Sequence, residues 1–108
     1  MEKSSFRLVF GNSPTIKVLD FLIDHQEFDY SLTDIAKHSD VAWSTLHQIW
    51  PDILRAGIAE KTRKIGRAEL YKLNTKNPLV TKILELDFVI SKHYNQIELQ
   101  KQKMIIKN

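Results

Sequence analysis

A chain of 108 residues, 43% apolar and 27% charged, has the size and composition of one globular domain, with material for a single hydrophobic core. It has no cysteine, which excludes disulfides and thiolate metal sites, and no apolar run approaches the ~20 residues of a membrane helix. The net charge of +3 conceals a strong polarity along the chain. From Ser13 to Leu54 two lysines stand against seven acidic residues, whereas from Arg55 to Lys76 seven cations stand against two glutamates. A cationic stretch of this density suits a polyanionic partner, although a solvated hairpin that only aids solubility carries the same charge. No signal-peptide pattern opens the chain, so a cytoplasmic location is expected.

Phe6, Leu8 and Phe10 alternate, which predicts a short strand or an arm over residues 1–12. Ser13-Pro14 pairs a capping side chain with a proline at the first helical position, and the first helix is expected from there to about His25. Its buried stripe is Ile16, Leu19, Leu22 and Ile23. Glu27–Tyr30 reads as a short loop or strand. Ser31 caps the next helix, and Asp34 favours its positive end.

Ser39-Asp40 is the turn, with Val41 as the apolar residue beneath it. A third helix is expected over about 43–56, with Leu46, Ile49, Trp50, Ile53 and Leu54 inward and Trp43, Ser44, His47 and Gln48 outward. Pro51 predicts a kink, because it removes a donor and crowds the His47 carbonyl. Gly57 ends the helix.

Two strands, Ile58–Lys64 and Ala68–Leu73, flank a tip at Ile65-Gly66. Asn77-Pro78 repeats the helix-start signal, and a last helix of about 35 Å follows over residues 77–100. Leu79, Ile83, Leu86, Ile90, His93 and Ile97 recur in it at steps of four and three, a coiled-coil-like seam. Residues 101–108 read as a fraying basic tail.

The order is helix, helix, turn, helix, basic hairpin, long helix. It resembles the winged helix-turn-helix proteins, in particular small prokaryotic, notably archaeal, transcription regulators of the MarR and ArsR sort. The resemblance is carried by Ser31-Leu32-Thr33-Asp34-Ile35-Ala36, Val41, Leu46 and Leu54-Arg55-Ala56-Gly57-Ile58. It continues in Arg63-Lys64-Ile65-Gly66-Arg67 and Tyr71-Lys72-Leu73-Asn74, and covers roughly residues 13–95.

What it implies is a mainly α fold with a small β-hairpin: a DNA-binding domain over 13–76 followed by a dimerisation helix over 77–100. The third helix is expected in the major groove and the hairpin, as a wing, on the backbone or minor groove. Asp40 stands where a glycine is common in such proteins, and Ala42 where a capping serine is.

The candidate DNA contacts follow from side-chain chemistry. Gln48 can pair with adenine, His47 with guanine or phosphate, and Ser44 and Thr45 with either. Arg63, Lys64 and Arg67 can neutralise phosphates or probe the minor groove, and Ser31 and Thr33 at a helix start can bind phosphate through hydroxyl and backbone N–H groups. Trp43 either touches DNA, stacks on the domain or anchors in a partner protein.

The expected partners are double-stranded DNA and a second copy of the chain, joined through Leu79, Ile83, Leu86, Ile90 and Ile97. A twofold dimer would set two recognition helices about 34 Å apart, on a near-palindromic site. The alternative is a winged-helix module that binds protein in a larger assembly. The four histidines are scattered, and there is no glycine-rich phosphate loop or nucleophile–base set, so no metal, cofactor or enzymatic activity is expected.

Overall fold

The structure, a computed structural model, describes the backbone of residues 4–107 and the side chains of residues 4–104. Capping chemistry sets most of its helix starts. The hydroxyls of Ser4 and Ser13 accept from the N–H groups of Arg7 and Ile16 at the heads of α1 (Ser5–Phe10) and α2 (Pro14–Asp24). Ser31 accepts from Asp34 at the head of α3 (Leu32–Ser39). Each such cap satisfies a first-turn N–H that has no partner inside the helix, and contributes about 1 kcal/mol.

The first element corrects the expectation for the described part of residues 1–12, residues 1–3 lying outside the described residues. Phe6, Leu8 and Phe10 belong to a helix, not to a strand. Alternation over five residues fits either period, and what decides is the Ser4 cap together with the one-turn spacing of Phe6 and Phe10, whose rings lie 4.9 Å apart.

α3 ends at Asp40, which takes the left-handed conformation at φ 57° and serves as the C-cap. An aspartate tolerates that region better than most residues with a side chain. The Val41 N–H then bonds back to the Ala36 carbonyl at 3.0 Å, closing the tight turn. α4 (Trp43–Arg55) follows without a side-chain cap at Ala42 and continues as one helix through Pro51. Pro51 and His47 both lie on the exposed face, so the carbonyl deprived of its donor is on the water side.

Three strands form one antiparallel sheet in the order β1–β3–β2: β1 (Tyr30–Ser31), β2 (Ala59–Ile65) and β3 (Ala68–Leu73). β1 is the piece for which the sequence left loop and strand open. It pairs Tyr30 with Tyr71 and Ser31 with Leu70. The core lies between the sheet and the helices, built on Val18, Leu22, Ile35, Leu46, Trp50, Leu73 and Val80. Gly57, at φ 71°, joins α4 to β2. Its carbonyl accepts from both the Asn74 and Asn77 side-chain amides, at 3.1 and 2.9 Å. A Cβ on Gly57 would stand 2.9 Å from the Asn77 amide nitrogen, so this tie between α4 and the next helix requires glycine.

The last helix, α5 (Pro78–Lys107), starts with the Asn77 carboxamide accepting from the Leu79 N–H. At 30 residues it is about 45 Å long. Of the expected basic tail, residues 101–107 continue α5 as helix, since glutamine, lysine and methionine are all good helix formers and no breaker intervenes, and Asn108 lies outside the described residues.

The seam also needs correcting. Ile90 is buried in the chain's own core and Ile83 packs against it, together with Val80, Leu84 and Tyr94. Leu79, Leu86 and Ile97 remain exposed, and they fall on one stripe with Met104, because spacings of seven and eleven return nearly to the same angle of the helix. The apolar seam read from sequence is therefore two adjacent stripes, one used and one open among the described residues, while Phe88, Val89 and Leu99 are exposed on other sides of the helix.

Candidate nucleic-acid interface

α4 buries Leu46, Trp50 and Ile53 and turns Trp43, Ser44, His47 and Gln48 to solvent, with Thr45 half-buried at the edge. Trp43 is 57% exposed. Its ring lies against that of His47, centroids 3.7 Å apart, one turn further along the helix. With His47 against one side of the ring, the rest of this tryptophan is left open on a polar helix face as a contact surface.

Beside it lies a concavity of about 260 Å³ between the head of α3, the exposed face of α4 and β3. Five residues expected from sequence line it: Ser31, Thr33, Trp43, His47 and Arg67. Ser44, Thr45 and Gln48 continue along α4 outside it, and Lys64 stands on the ribbon. Glu69 and Tyr71, which sequence reasoning did not single out, complete the wall with Leu32 and Ala68.

The register of the wing explains which cations face this hollow. Residues paired across antiparallel strands share a sheet face, and successive residues alternate. Lys61 pairs with Tyr71 and Lys64 with Glu69, on the face that meets α4, where the Tyr71 and Trp50 rings stand edge to face at 5.1 Å. Arg63 pairs with Leu70, on the opposite face. An irregularity between Lys61 and Arg63 makes this possible, because Thr62 is an extra residue that shifts the alternation by one.

The charges sort accordingly. The Arg63 guanidinium donates to Asp29 through Nε at 2.9 Å and Nη2 at 3.2 Å, and the Thr62 hydroxyl donates to the same carboxylate at 2.5 Å. Those bonds, the one from Arg63 first, lower the Asp29 carboxyl to a pKa of about 2. On the α4 side, Tyr71 donates its hydroxyl to Glu69 at 2.9 Å and Lys61 approaches its other oxygen at 3.2 Å. Both lower the Glu69 carboxyl below its ordinary value, and burial with this bond raises the Tyr71 phenol. Lys61 and Arg63 are thus paired, while Lys64 and Arg67 form no salt bridge among the described residues.

The Ser31 hydroxyl is occupied as a helix cap but keeps its own proton to donate, and Thr33 beside it is exposed. No group of three or more His, Asp or Glu among the described residues is placed to hold a metal ion. No described helix is long and apolar enough to cross a membrane.

Among solved structures the chain is similar to MepR, a transcription regulator of the Staphylococcus aureus multidrug efflux pump MepA. The two agree with a TM-score of 0.63 at 18% identity, over 83% of this chain and 67% of that one. It is similar to ZitR of Lactococcus lactis with a TM-score of 0.57 at 13% identity, over 94% and 74%. It is also similar to HlyU of Vibrio cholerae, with a TM-score of 0.51 at 23% identity over 80% and 92%. The fold is the winged helix. In its terms α3 and α4 are the helix-turn-helix, α4 stands in the place of the recognition helix, and β2–β3 is the wing. No family model and no curated protein matches the sequence.

Proposed function

We propose that this winged-helix chain is a DNA-binding transcription regulator that acts as a homodimer. α4 enters the major groove with Ser44, His47 and Gln48 toward base edges, and Lys64 and Arg67 of the wing meet the backbone or minor groove beside it. The observation that carries this reading is the concavity in which Ser31, Thr33, Trp43, His47 and Arg67 converge from three separate elements on one open, polar surface. Hydroxyls, an imidazole and a guanidinium are donors to phosphate oxygen, and the indole offers a face to a sugar or base.

The dimer is supported by the free stripe of α5 and by α1, which packs on α5 and exposes Leu8, Val9 and Phe10. Apolar residues open on two packed elements favour burial against a second copy.

A salt series of duplex binding tests the reading. Several phosphate contacts make log K fall with log salt at about 0.9 per phosphate neutralised. A slope of about 3–5 is expected for a dimer using Lys64, Arg67 and the α3 head of each copy. Absence of affinity for any duplex at low salt would leave the protein-binding alternative, with Trp43 as the anchor.

A further inference from the structure

The outer wing has little to hold its direction. β1 pairs with β3 only at Leu70 and Tyr71, so from Arg63 to Glu69 the hairpin is a two-stranded ribbon whose residues are all exposed. Such a ribbon is marginal by itself in water. It leaves the sheet just past the irregularity at Thr62, where a small change in backbone angle swings the whole tip.

One group from outside the hairpin grips that point. Asp29 precedes β1, on the far edge of the sheet from β2, and its carboxylate reaches across β3 to both the extra residue and the one after it. The contacts are well formed for the purpose. The two Arg63 bonds are bidentate, the geometry in which a guanidinium is directionally fixed as well as attracted. Asp29 is 15% exposed on its side chain against 61% for Arg63, so the fixed end of the pair is the one on the body of the protein. Leu70, opposite Arg63, is buried although it stands outside the core cluster, as expected beneath an arginine stem laid across the sheet.

We propose that Asp29 is the positioning residue of the wing: by holding Thr62 and Arg63 on the face away from α4, it sets the direction in which Lys64 and Arg67 meet DNA. Arg63 then acts as a strut and makes no phosphate contact. This rests on the regulator reading above for its consequence, though not for the grip itself.

Two roles for Arg63 give opposite results when Asp29→Asn, Arg63→Gln and the double variant are compared. As a strut, each single change weakens duplex binding about tenfold, the scale at which residues without ligand contact act. The double variant is then no worse than either, because both remove one interaction. The salt slope keeps its wild-type value, and Asp29→Glu recovers most of the affinity.

As a phosphate contact restrained by Asp29, Arg63 would make Asp29→Asn bind more tightly and Arg63→Gln lose about 1.8 in slope, about 0.9 for each copy of the dimer. Either result overturns the proposal. Amide hydrogen exchange on the free protein separates the grip from the function: residues 62–69 exchange faster in Asp29→Asn with the core unchanged, whether or not DNA binds. Unaltered exchange there overturns the proposal. A wild type that binds no duplex removes the regulator reading alone.

Discussion

At the wing the carboxylates of Asp29 and Glu69 each meet a cation and a hydroxyl, whereas Asp24 of α2 and Asp87 of α5 each feel the Asp20 carboxylate and none of the three forms a salt bridge among the described residues. The first pair is lowered below the ordinary range by its partners. In the second group Asp24 and Asp87 are raised, by burial first and then by their acidic neighbours, with only His25 acting the other way on Asp24. Asp20 is buried, and its Oδ1 has no hydrogen-bond partner among the described residues. The same region carries the free stripe of α5.

The contrast teaches where each kind of surface is useful. Negative charge at the wing is paired in place, Glu69 on the α4 face and Asp29 on the other, while Lys64 and Arg67 form no salt bridge among the described residues. On the α2–α5 side it is left standing, and under the proposed regulator reading that charge would repel a polyanion and turn the wing toward it.

The largest effect should come from closing off the apolar half of that comparison. Leu86→Glu places a charge in the middle of the free stripe while leaving the core untouched, since Leu86 is 45% exposed. The expected result in sedimentation is a dimeric wild type and a monomeric variant. Binding to a two-half-site duplex should fall by about a hundredfold or more, because engagement of the second half-site is no longer intramolecular. A wild type that sediments as a monomer at micromolar concentration would break the link between the two halves.

How far that stripe could be read from sequence is instructive. The outward face of α4, the turn at Asp40 and the helix starts at Ser13, Ser31 and Asn77 were legible because each depends on residues within one turn of one another. The division of α5 was not. Its inner residues Val80, Ile83, Ile90 and Tyr94 and its outer residues Leu79, Leu86 and Ile97 are all apolar and differ only by a fraction of a turn, so sequence periodicity shows one seam where there are two stripes. The wing shows the same limit in another form. Lys61-Thr62-Arg63-Lys64 contains no glycine to mark an extra residue, and the Asp29–Arg63 partnership spans 34 residues of chain. Only the pairing register reveals which cation faces α4.

A pair of charge changes comes next in size. Arg67→Glu puts a carboxylate into the concavity and should weaken duplex binding roughly a hundredfold, since a charge-assisted hydrogen bond to phosphate gives way to repulsion, with a shallower salt slope. Asp24→Lys, an equal change in the size of the charge near the C-terminal end of α2, should alter duplex affinity less than about threefold while raising the melting temperature, because a cation is favourable both there and beside Asp20. Equal effects of the two variants on DNA would mean that net charge, and not its placement, governs binding.

The smallest effects are those of pH on stability, and they should carry opposite signs at the two places. Asp29 has a folded-state pKa of about 2 against an ordinary 3.8, so it contributes stability that is fully present above about pH 4 and is lost as pH falls toward 2. Asp87 is raised, so the folded chain holds its proton more tightly than the unfolded chain does. Its penalty is absent in acid and develops as pH rises from about 4 through the raised value. Asp87→Asn should therefore melt above wild type at pH 7 and level with it near pH 3. Asp29→Asn should melt below wild type at pH 7, with the difference closing only near pH 2. Calorimetry of both variants at the three pH values checks the signs. An Asp87→Asn protein that melts lower at pH 7 would show that this carboxylate has a cationic partner after all, and the contrast between the two acidic regions would lose its physical basis.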